Sequence, residues 1–327
     1  MRHHAVTGGA GFIASTLIDR LLATGDRVLA LDDQSRGRRA HVDRFAGRPG
    51  FRFVAVDCAD LAAYRAAMVE AHAAQPIDEV WHLAANSDIP AGIADPTIDR
   101  DGTFLTTFNT VLILRDLAIP ALRFASSSAI YGDLGEAAIR EEAGPLEPIS
   151  NYGAMKLASE AQIRAAVEAF LPRADIFRFP NVVGVPATHG VMLDFVRKLK
   201  ATPAALDILG DGTQRKAYLH VEELVEAMLF IRDRAPARYN VYNIGPRDDG
   251  IAVSEIAGLV RDRVSPAAAL RFGESARGWV GDVPRFRYDT GRLTALGWHP
   301  TLDSRAAIRR ALDEIVRQEA GSSSDRP

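Results

Sequence analysis

The stretch HHAVTGGAGFIA, residues 3–14, decides the fold. A short apolar run ends at Thr7, glycines follow at Gly8 and Gly11, and an amphipathic pattern begins at Phe12. This order predicts a strand, a tight turn and a helix whose first backbone N–H groups point toward the turn. Such a turn lets the backbone approach a pyrophosphate. We therefore expect the chain to begin with the first unit of a dinucleotide-binding α/β fold.

The first 180 residues alternate apolar runs with helical periodicity, as a parallel α/β sheet requires. The runs RVLALDD and EVWHLAA are almost continuously apolar, which is typical of strands covered on both faces. The predicted strands are His3–Thr7, Arg27–Leu31, Phe51–Val56, Glu79–Leu83, Leu122–Ser126 and Asp175–Phe179. The predicted helices are Phe12–Ala23, Leu61–His72, Thr103–Leu117, Tyr152–Phe170, Met192–Lys200, Val221–Arg232, Val253–Val264 and Ser304–Glu319.

The predicted fold class is α/β, a Rossmann-type doubly wound parallel sheet with a smaller, interleaved C-terminal α/β substrate lobe. Residues 1–180, with returning segments near 221–250, are expected to form the dinucleotide-binding domain. Residues 181–220 and 251–319 are expected to form the substrate lobe, because turn-rich segments loosen the alternation beyond Pro180. Residues 320–327 are predicted to be a disordered tail.

Composition restricts the class of protein further. The 327 residues carry a formal net charge of −3, so no broad basic field is present and nucleic acid is not an expected partner. The single cysteine, Cys58, excludes an intramolecular disulfide and a cysteine-based zinc site, and no metal is predicted. No apolar run approaches the ~18 residues of a membrane span, and no signal peptide precedes the first strand. A cytoplasmic protein without membrane attachment is the expectation.

Two acidic positions bear on the choice of cofactor. Asp32 lies 21 residues after Gly11 at the end of the second predicted strand, where a carboxylate accepts the ribose hydroxyls of a dinucleotide. A carboxylate there would repel a 2′-phosphate, so NAD is favoured over NADP, although Arg36 and Arg38 could soften that preference. Asp57, after the third strand, either accepts from the adenine amino group or caps the following helix.

Further cofactor contacts are expected where strands end. Cys58 is expected to be a small apolar neighbour of the adenine, and residues 83–85 to pass beneath the cofactor. His82 is interpreted as a core histidine. The predicted cofactor contacts in this half of the chain are Gly8, Gly11, Phe12, Ile13, Asp32, Asp33, Gln34, Ser35, Arg36, Gly37, Asp57, Cys58, Leu83, Ala84, Ala85, Asn86, Ala125, Ser126, Tyr152 and Lys156.

The segments FASSSAIYGD (124–133) and NYGAMK (151–156) hold the candidate catalytic residues Ser127, Tyr152 and Lys156. A free tyrosine has a pKa of about 10, too high for a base near neutrality. Lys156 lies one helical turn from Tyr152, and its charge favours the phenolate. Ser127 can hydrogen-bond the substrate oxygen as it becomes a carbonyl. The three residues predict an enzyme that oxidises an alcohol with NAD.

These motifs resemble the extended short-chain dehydrogenase/reductase superfamily, and within it the NAD-dependent nucleotide-sugar epimerase/dehydratase family typified by UDP-glucose 4-epimerase. The resemblance covers about residues 4–315. The motifs that carry it are TGGAGFIA, LDDQSRGR (31–38), HLAA (82–85), SSSAIYGD (126–133), YGAMK, FRFPNVVG (177–184), ILGDGTQRKAYLHVEE (208–223) and GDVPRFRYDTGRLTALGW (281–298).

The resemblance also implies a reaction. Dehydratases of the family carry an Asp-Glu pair just after the catalytic serine, whereas this chain has Ser128 and Ala129, which cannot exchange protons in that way. This favours 4-epimerisation, in which Tyr152 takes the C4 hydroxyl proton, NAD holds the hydride of the 4-keto sugar, and hydride returns to the opposite face. A 4,6-dehydratase and a 4-ketoreductase or dehydrogenase of the same family remain alternatives, as does a non-catalytic NAD-binding protein.

The resemblance places Phe179 and Pro180 beside the nicotinamide, and Asn181 on the diphosphate of the substrate. Lys216 stands where the family usually has arginine, so Arg215 or Arg277 is expected to compensate. A UDP-sugar is the expected substrate, and a homodimer through helices 103–117 and 152–170 is the expected assembly. The predicted substrate contacts are Ser87, Ser127, Ser128, Asn181, Val191, Arg215, Lys216, Arg277 and Asp282.

Overall fold

The computed structural model describes residues 1–135, 138–275 and 287–321. The strands are β1 (His3–Thr7), β2 (Arg27–Asp32), β3 (Phe51–Ala55), β4 (Glu79–His82), β5 (Ala121–Ala125), β6 (Ala138–Ile139), β7 (Arg173–Arg178), β8 (Asn181–Val183), β9 (Ala205–Ile208), β10 (Arg215–Lys216), β11 (Tyr218–His220), β12 (Tyr239–Asn243), β13 (Ile251–Ala252), β14 (Ala269–Phe272) and β15 (Arg287–Tyr288). The helices are α1 (Phe12–Ala23), α2 (Ala40–Asp43), α3 (Leu61–Ala74), α4 (Ile89–Ala94), α5 (Pro96–Asp99), α6 (Thr106–Asp116), α7 (Asn151–Ala169), α8 (Val191–Ala201), α9 (Val221–Arg234), α10 (Val253–Val264), α11 (Gly291–Leu296) and α12 (Ser304–Gly321). A π-helical turn spans Arg100–Leu105, and a 3-10 turn spans Ser128–Tyr131.

Seven strands form one sheet in the order β12-β7-β5-β4-β1-β2-β3. The pairs β7/β5, β5/β4, β4/β1, β1/β2 and β2/β3 are all parallel. Thr7 at the end of β1 lies opposite Leu31 of β2 and His82 of β4, so these strands end at one edge of the sheet. This topology confirms the predicted Rossmann-type α/β fold, and the shared edge is where such sheets hold their ligands.

The predicted elements of the sheet agree with the structure to within one or two residues at their ends. β1, α1 and α10 have the predicted bounds. β7 was expected at 175–179 and instead runs from Arg173 to Arg178, so Phe179 lies beyond the strand. The strand begins earlier because Arg173 continues the parallel ladder with β5, opposite Ala121.

Two helices begin or end at residues other than those predicted from the apolar periodicity of the sequence. The helix predicted from Thr103 begins instead as the π-helical turn and continues as α6. A single π turn barely changes which side chains share a face, so apolar periodicity does not separate it from an α turn. α12 continues to Gly321, which includes the first two residues of the predicted tail. Residues 322–327 lie outside the described part of the chain.

The chain divides into two compact units. The first comprises residues 1–132, 143–178 and 228–242, and its core lies between the sheet and α3, α6 and α7. The second comprises 133–142, 179–227 and the chain from 243 onward, with a core formed mainly by α8, α10 and α12. None of the helices described in either unit is both long and apolar enough to cross a membrane.

Candidate active site

A glycine turn connects β1 to α1. Gly8 has a φ of +66°, a left-handed value that residues with a Cβ rarely adopt. A Cβ at Gly8 would also lie 2.9 Å from the backbone nitrogen of Ala84, just after β4. The Gly11 N–H donates to the Gly8 carbonyl at 2.9 Å, and α1 begins at the next residue. The bare backbone and the first N–H groups of α1 together suit a pyrophosphate.

Asp32, the last residue of β2, is buried at the same edge of the sheet. One of its oxygens accepts the Ala10 N–H at 3.0 Å, and the other accepts the Gln34 N–H at 2.6 Å. Burial raises the pKa of Asp32, and the two hydrogen bonds oppose the rise. Each carboxylate oxygen keeps a second lone pair. Asp32 is therefore held in place with acceptor capacity left for ribose hydroxyls.

The loop after Asp32 is largely exposed and is organised by its own side chains. Asp33 accepts the N–H of Ser35 at 2.9 Å and the hydroxyl of Ser35 at 2.7 Å. Arg36 pairs with Asp88, the N-cap of α4, at 2.7 Å. The sequence left open that Arg36 reduces the preference for NAD over NADP. Because its guanidinium already faces a carboxylate, the pairing argues against that role.

Two residues after β3 were assigned to the adenine. The Asp57 carboxylate is exposed and accepts the Ala59 N–H at 2.7 Å. The N-cap of α3 is instead Asp60, which accepts the Ala62 N–H at 3.0 Å, so the alternative role of Asp57 as the helix cap is wrong. Cys58 is buried, and burial raises the pKa of its thiol well above the ordinary range. The thiol is therefore unreactive, as the sequence interpretation expected.

The residues after β4 run alongside β1, beneath the glycine turn. The Leu83 N–H donates to the Thr7 carbonyl and the Ala84 N–H to the Thr7 hydroxyl, both at 3.3 Å. Asn86 is buried, whereas Ser87, predicted to contact substrate, is exposed. His82 is a core histidine, as predicted: burial lowers its pKa to about 3, so it stays neutral.

The candidate catalytic residues Ser127 and Tyr152 lie in two local structures that approach each other closely. Ser127 opens the 3-10 turn and accepts the Ala129 N–H at 3.1 Å. Tyr152 lies in the first turn of α7, where the capping residue Ser150 accepts the Gly153 N–H at 3.1 Å. A Cβ on Gly153 would overlap the Ala129 carbonyl oxygen, so this glycine lets α7 contact the turn. The Ser127 side chain is consequently close enough to Tyr152 to affect its ionisation.

Lys156 lies one turn further along α7 and is almost fully buried. Its Nζ donates to the carbonyl of Ala125, the last residue of β5, at 2.6 Å. The same atom lies 4.8 Å from the centre of the Phe124 ring and 5.8 Å from the centre of the Tyr152 ring. The ammonium group is thus held at the end of β5 beneath the tyrosine, as the spacing of four residues predicts.

The two groups titrate in a desolvated environment. Burial raises the pKa of Tyr152 to about 12, and the nearby Ser127 side chain opposes the rise. Burial lowers the pKa of Lys156 to about 7, although the charges of Glu160 and Asp99 oppose the fall. Groups this close titrate as a coupled pair. A proton held by Lys156 near neutrality favours the phenolate, which is the form that accepts a proton from an alcohol.

A buried ionic network behind the catalytic residues was missed by the sequence reasoning. Glu160, one turn beyond Lys156, accepts from Arg178 at 2.6 Å and from the hydroxyl of Ser126. Arg178 also donates to the hydroxyl of Tyr131 at 2.8 Å. The network ties α7 to the ends of β5 and β7. Its signal was the spacing 152, 156, 160, which places three polar side chains on one face of a helix.

A second residue that the sequence reasoning missed is Asp99, at the end of α5. It is fully buried, and its charge acts on both Tyr152 and Lys156. The segment DPTIDRDGT contains three aspartates, and nothing in its composition indicates which of them lies inside. Thr103, in the π-helical turn that follows Asp99, contacts the same region: its hydroxyl accepts the Asn86 N–H at 3.1 Å.

The substrate contacts predicted beyond residue 178 belong to the second unit. Asn181 begins β8 and its side chain donates to the Ala217 carbonyl at 3.5 Å. Arg215 donates to the Gly250 carbonyl at 2.5 Å and to Glu255 at 3.0 Å, so its charge is already paired. Phe179 is half-buried and Pro180 is buried between β7 and β8, and Val191 begins α8. Arg277 and Asp282 lie outside the described residues.

The fold and the site together define an NAD-dependent enzyme of the extended short-chain dehydrogenase/reductase type. The chain belongs to the NAD dependent epimerase/dehydratase family, which it matches over residues 4–245. The glycine turn, where a Cβ would collide with the backbone at Ala84, and the carboxylate of Asp32 fit this cofactor.

Similar proteins include members with different reactions. A solved UDP-galactose 4-epimerase is 32% identical, with a TM-score of 0.84 over 97% of this chain and 99% of that chain. The UDP-glucose 4-epimerase of Thermus thermophilus, solved in complex with NAD, is 28% identical, with a TM-score of 0.82 over 96% of this chain and 99% of that chain. A probable dTDP-glucose 4,6-dehydratase of Sinorhizobium fredii is 30% identical over 336 residues, 94% of this chain and 91% of the relative.

Proposed function

We propose that the protein is an NAD-dependent nucleotide-sugar 4-epimerase that acts on UDP-sugars. The observation that carries the proposal is the arrangement of Tyr152 in the first turn of α7, close to Ser127, with buried Lys156 one turn along the same helix. All three lie at the edge of the sheet where the glycine turn suits the pyrophosphate of NAD. The similarity to solved UDP-sugar 4-epimerases supports the substrate class.

In this proposal Tyr152, Ser127 and Lys156 each have a separate role in the oxidation of the C4 alcohol. Tyr152 accepts the hydroxyl proton and later returns it, while Ser127 donates a hydrogen bond to the same substrate oxygen. Lys156 stays protonated beneath the tyrosine and stabilises the phenolate. NAD, when bound, supplies the acceptor that takes the C4 hydride and returns it to the opposite face. Because proton and hydride both return, the reaction has no net oxidation and consumes no cofactor.

The 3-10 turn after Ser127 favours epimerisation over dehydration. Its residues Ser128, Ala129, Ile130 and Tyr131 include no carboxylic acid. Loss of water across C5 and C6 needs groups that remove one proton and deliver another, and the resemblance places these groups directly after the catalytic serine. A dehydratase remains the second candidate because a probable dTDP-glucose 4,6-dehydratase is 30% identical.

An isotope experiment separates the two candidates. The purified protein is incubated in D₂O with UDP-glucose, UDP-galactose, dTDP-glucose, and GDP- and CDP-sugars, and products are analysed by mass spectrometry. Epimerisation is expected to convert a UDP-sugar to its C4 epimer with no carbon-bound deuterium and no net NADH. Hydride returns within the active site, so solvent never supplies the hydrogen at carbon.

Three other outcomes would contradict the proposal. A 4-keto-6-deoxy product with one deuterium on carbon would identify a dehydratase, because C5 is reprotonated from solvent. Stoichiometric NADH would identify a dehydrogenase. Retention of NAD without turnover of any sugar would favour a binding protein.

For the substrate diphosphate we propose contacts from Asn181 and Lys216 rather than Arg215. The guanidinium of Arg215 is already bound to Glu255 and to the Gly250 carbonyl, which supports a structural role for it. An ammonium group contacts phosphate as a point charge and lacks the bidentate geometry of arginine.

We further propose a homodimer that buries the outer face of α6. Phe108 on this helix is 39% exposed, although its neighbours Val111 and Leu114 are buried. Light scattering is expected to give twice the chain mass of 35.4 kDa. Phe108→Asp is expected to yield a monomer, while Phe272→Asp, at an exposed phenylalanine of the second unit, should leave the dimer intact. A monomeric parent protein would overturn the assembly, and a dimeric Phe108→Asp variant would exclude this face.

A further inference from the structure

The least explained acid of the first unit is Asp99, the last residue of α5. Its exposed fraction is 0%, although aspartates are rarely fully buried without a partner for each oxygen. One oxygen accepts from the side-chain amide of Asn86 at 2.8 Å. The other oxygen has no hydrogen-bond partner among the residues that the structure describes. Burying a carboxylate oxygen without a hydrogen bond reduces the stability of the fold. A functional role would explain why an aspartate stands at this position.

Asp99 is connected to the first turn of the catalytic helix through one glycine. The Asn151 side chain, at the start of α7, donates to the carbonyl of Gly92 at 2.8 Å. A Cβ on Gly92 would overlap the bare oxygen of Asp99, so the carboxylate packs directly against this residue. Tyr152 follows Asn151 in the chain. The carboxylate is therefore placed behind the turn of α7 that carries the catalytic tyrosine.

The charged groups around Asp99 leave Lys156 as its natural counter-charge. Glu160 is engaged by Arg178 and Ser126, as described above. Asp88, in the loop that Asn86 organises, is paired with Arg36 at 2.7 Å. In the π-helical turn that follows Asp99, the side chains of Arg100 and Asp101 are 62% and 44% exposed and pair with each other at 2.6 Å.

The titration of the three groups agrees with this arrangement. Burial raises the pKa of Asp99, and the amide of Asn86 and the charge of Lys156 oppose the rise. Conversely, the Asp99 charge opposes the fall in the pKa of Lys156 and adds to the rise in the pKa of Tyr152. A negative charge at this point therefore keeps protons on both catalytic groups.

We propose that Asp99 is a positioning residue whose buried carboxylate holds Lys156 protonated and sets the pH range in which the Tyr152–Lys156 pair works. The inference rests on the proposed function for its kinetic consequence only. The carboxylate makes the tyrosine a weaker acid at low pH and extends the protonated state of the lysine to higher pH. Its removal therefore moves both the acid limb and the basic limb of the pH profile of kcat to lower pH.

The test compares Asp99→Asn with Asp101→Asn, which removes an equal charge from an exposed position two residues away. Ionisation of Tyr152 is followed in the NAD-bound protein by its tyrosinate absorbance, after subtraction of the matching variant that also carries Tyr152→Phe. Asp99→Asn is expected to lower the pH of half-ionisation by about one unit, a usual effect of one buried charge nearby. The acid limb of kcat for UDP-galactose conversion should shift equally. Asp101→Asn should shift neither.

A second measurement keeps the proposal testable if Asp99→Asn folds poorly. The Asp99 carboxyl is titrated by carbon-13 NMR in the parent protein and in Lys156→Met, with the signal assigned from Asp99→Asn or from Asp99→Ser. Loss of the lysine charge is expected to raise the pKa of Asp99, because coupling between two groups is reciprocal.

The outcomes distinguish this inference from the proposed function. An unchanged tyrosinate titration in folded Asp99→Asn, or an unchanged Asp99 titration in Lys156→Met, would overturn the inference even if the protein is an epimerase. A shifted titration without turnover of any sugar would leave the inference standing and overturn the function. An equal shift in Asp101→Asn would show a general charge effect and overturn the assignment to Asp99.

Discussion

Replacing Tyr152 by phenylalanine is expected to lower kcat for nucleotide-sugar conversion by about 10²- to 10⁴-fold, the usual contribution of a positioned acid–base group. The substitution removes the hydroxyl that we propose accepts the C4 proton. The ring itself remains, so α7 and the environment of Lys156 should be preserved. Rates are measured by chromatographic separation of the two epimers, with NAD content determined after denaturation.

The control for Tyr152→Phe is Tyr64→Phe, the same chemical change at another tyrosine of the first unit. The Tyr64 side chain is fully buried in the core, and its hydroxyl lies 3.2 Å from the Thr110 hydroxyl. Its loss should cost about 1 kcal/mol of stability and leave kcat unchanged. If Tyr152→Phe kept full activity on the substrate that the parent protein converts, the assignment of the base would be wrong.

Replacing Glu160 by glutamine is expected to reduce the free energy of unfolding by about 3–5 kcal/mol, the cost of leaving a buried charge without its partner. The Arg178 guanidinium has 7% of its side-chain surface exposed and loses the carboxylate that it contacts at 2.6 Å. Burial opposes the charge on Arg178, and the Glu160 carboxylate that favours this charge is absent from the variant. A guanidinium remains protonated in proteins, so the arginine does not avoid the penalty by releasing its proton. Urea unfolding followed by circular dichroism measures the change.

A matched control for Glu160→Gln lies on the same helix. Glu168 pairs with Arg164 at 2.5 Å, with 62% and 53% of the two side chains exposed. Glu168→Gln should cost no more than about 0.5 kcal/mol, because water replaces the lost partner. Equal losses in the two variants would show that burial of the Glu160–Arg178 pair has no energetic consequence.

Much of the fold could be predicted because each signal is local. The glycine turn and the apolar strands place Gly8, Gly11 and Asp32 in a dinucleotide-binding unit, and the structure agrees in topology and largely in element bounds. The placement of Tyr152 and Lys156 could also be predicted, because residues four apart in an α-helix lie on the same face. Motif order, together with resemblance, then indicated the family.

The sequence could not decide roles that depend on neighbours in space. Asp57 and Asp60 both follow β3, and either could cap α3, but only Asp60 has its carboxylate within reach of the first N–H groups. Arg215 is predicted to compensate on the diphosphate, which stays a prediction, and the structure adds that its guanidinium binds Glu255, 40 residues away. No pattern within either segment specifies such a partner.

The amino-acid sequence by itself determined the α/β architecture, the cofactor turn and the serine, tyrosine and lysine, because these depend on residue types at short, regular spacing. Only the tertiary structure decided which polar residues become buried. It placed Asp99 behind the catalytic helix and joined Glu160 to Arg178, 18 residues apart, on a different element. The reason is physical: the ionisation of a side chain depends on its desolvation and on the charges packed around it, and both are set by distant segments of the chain.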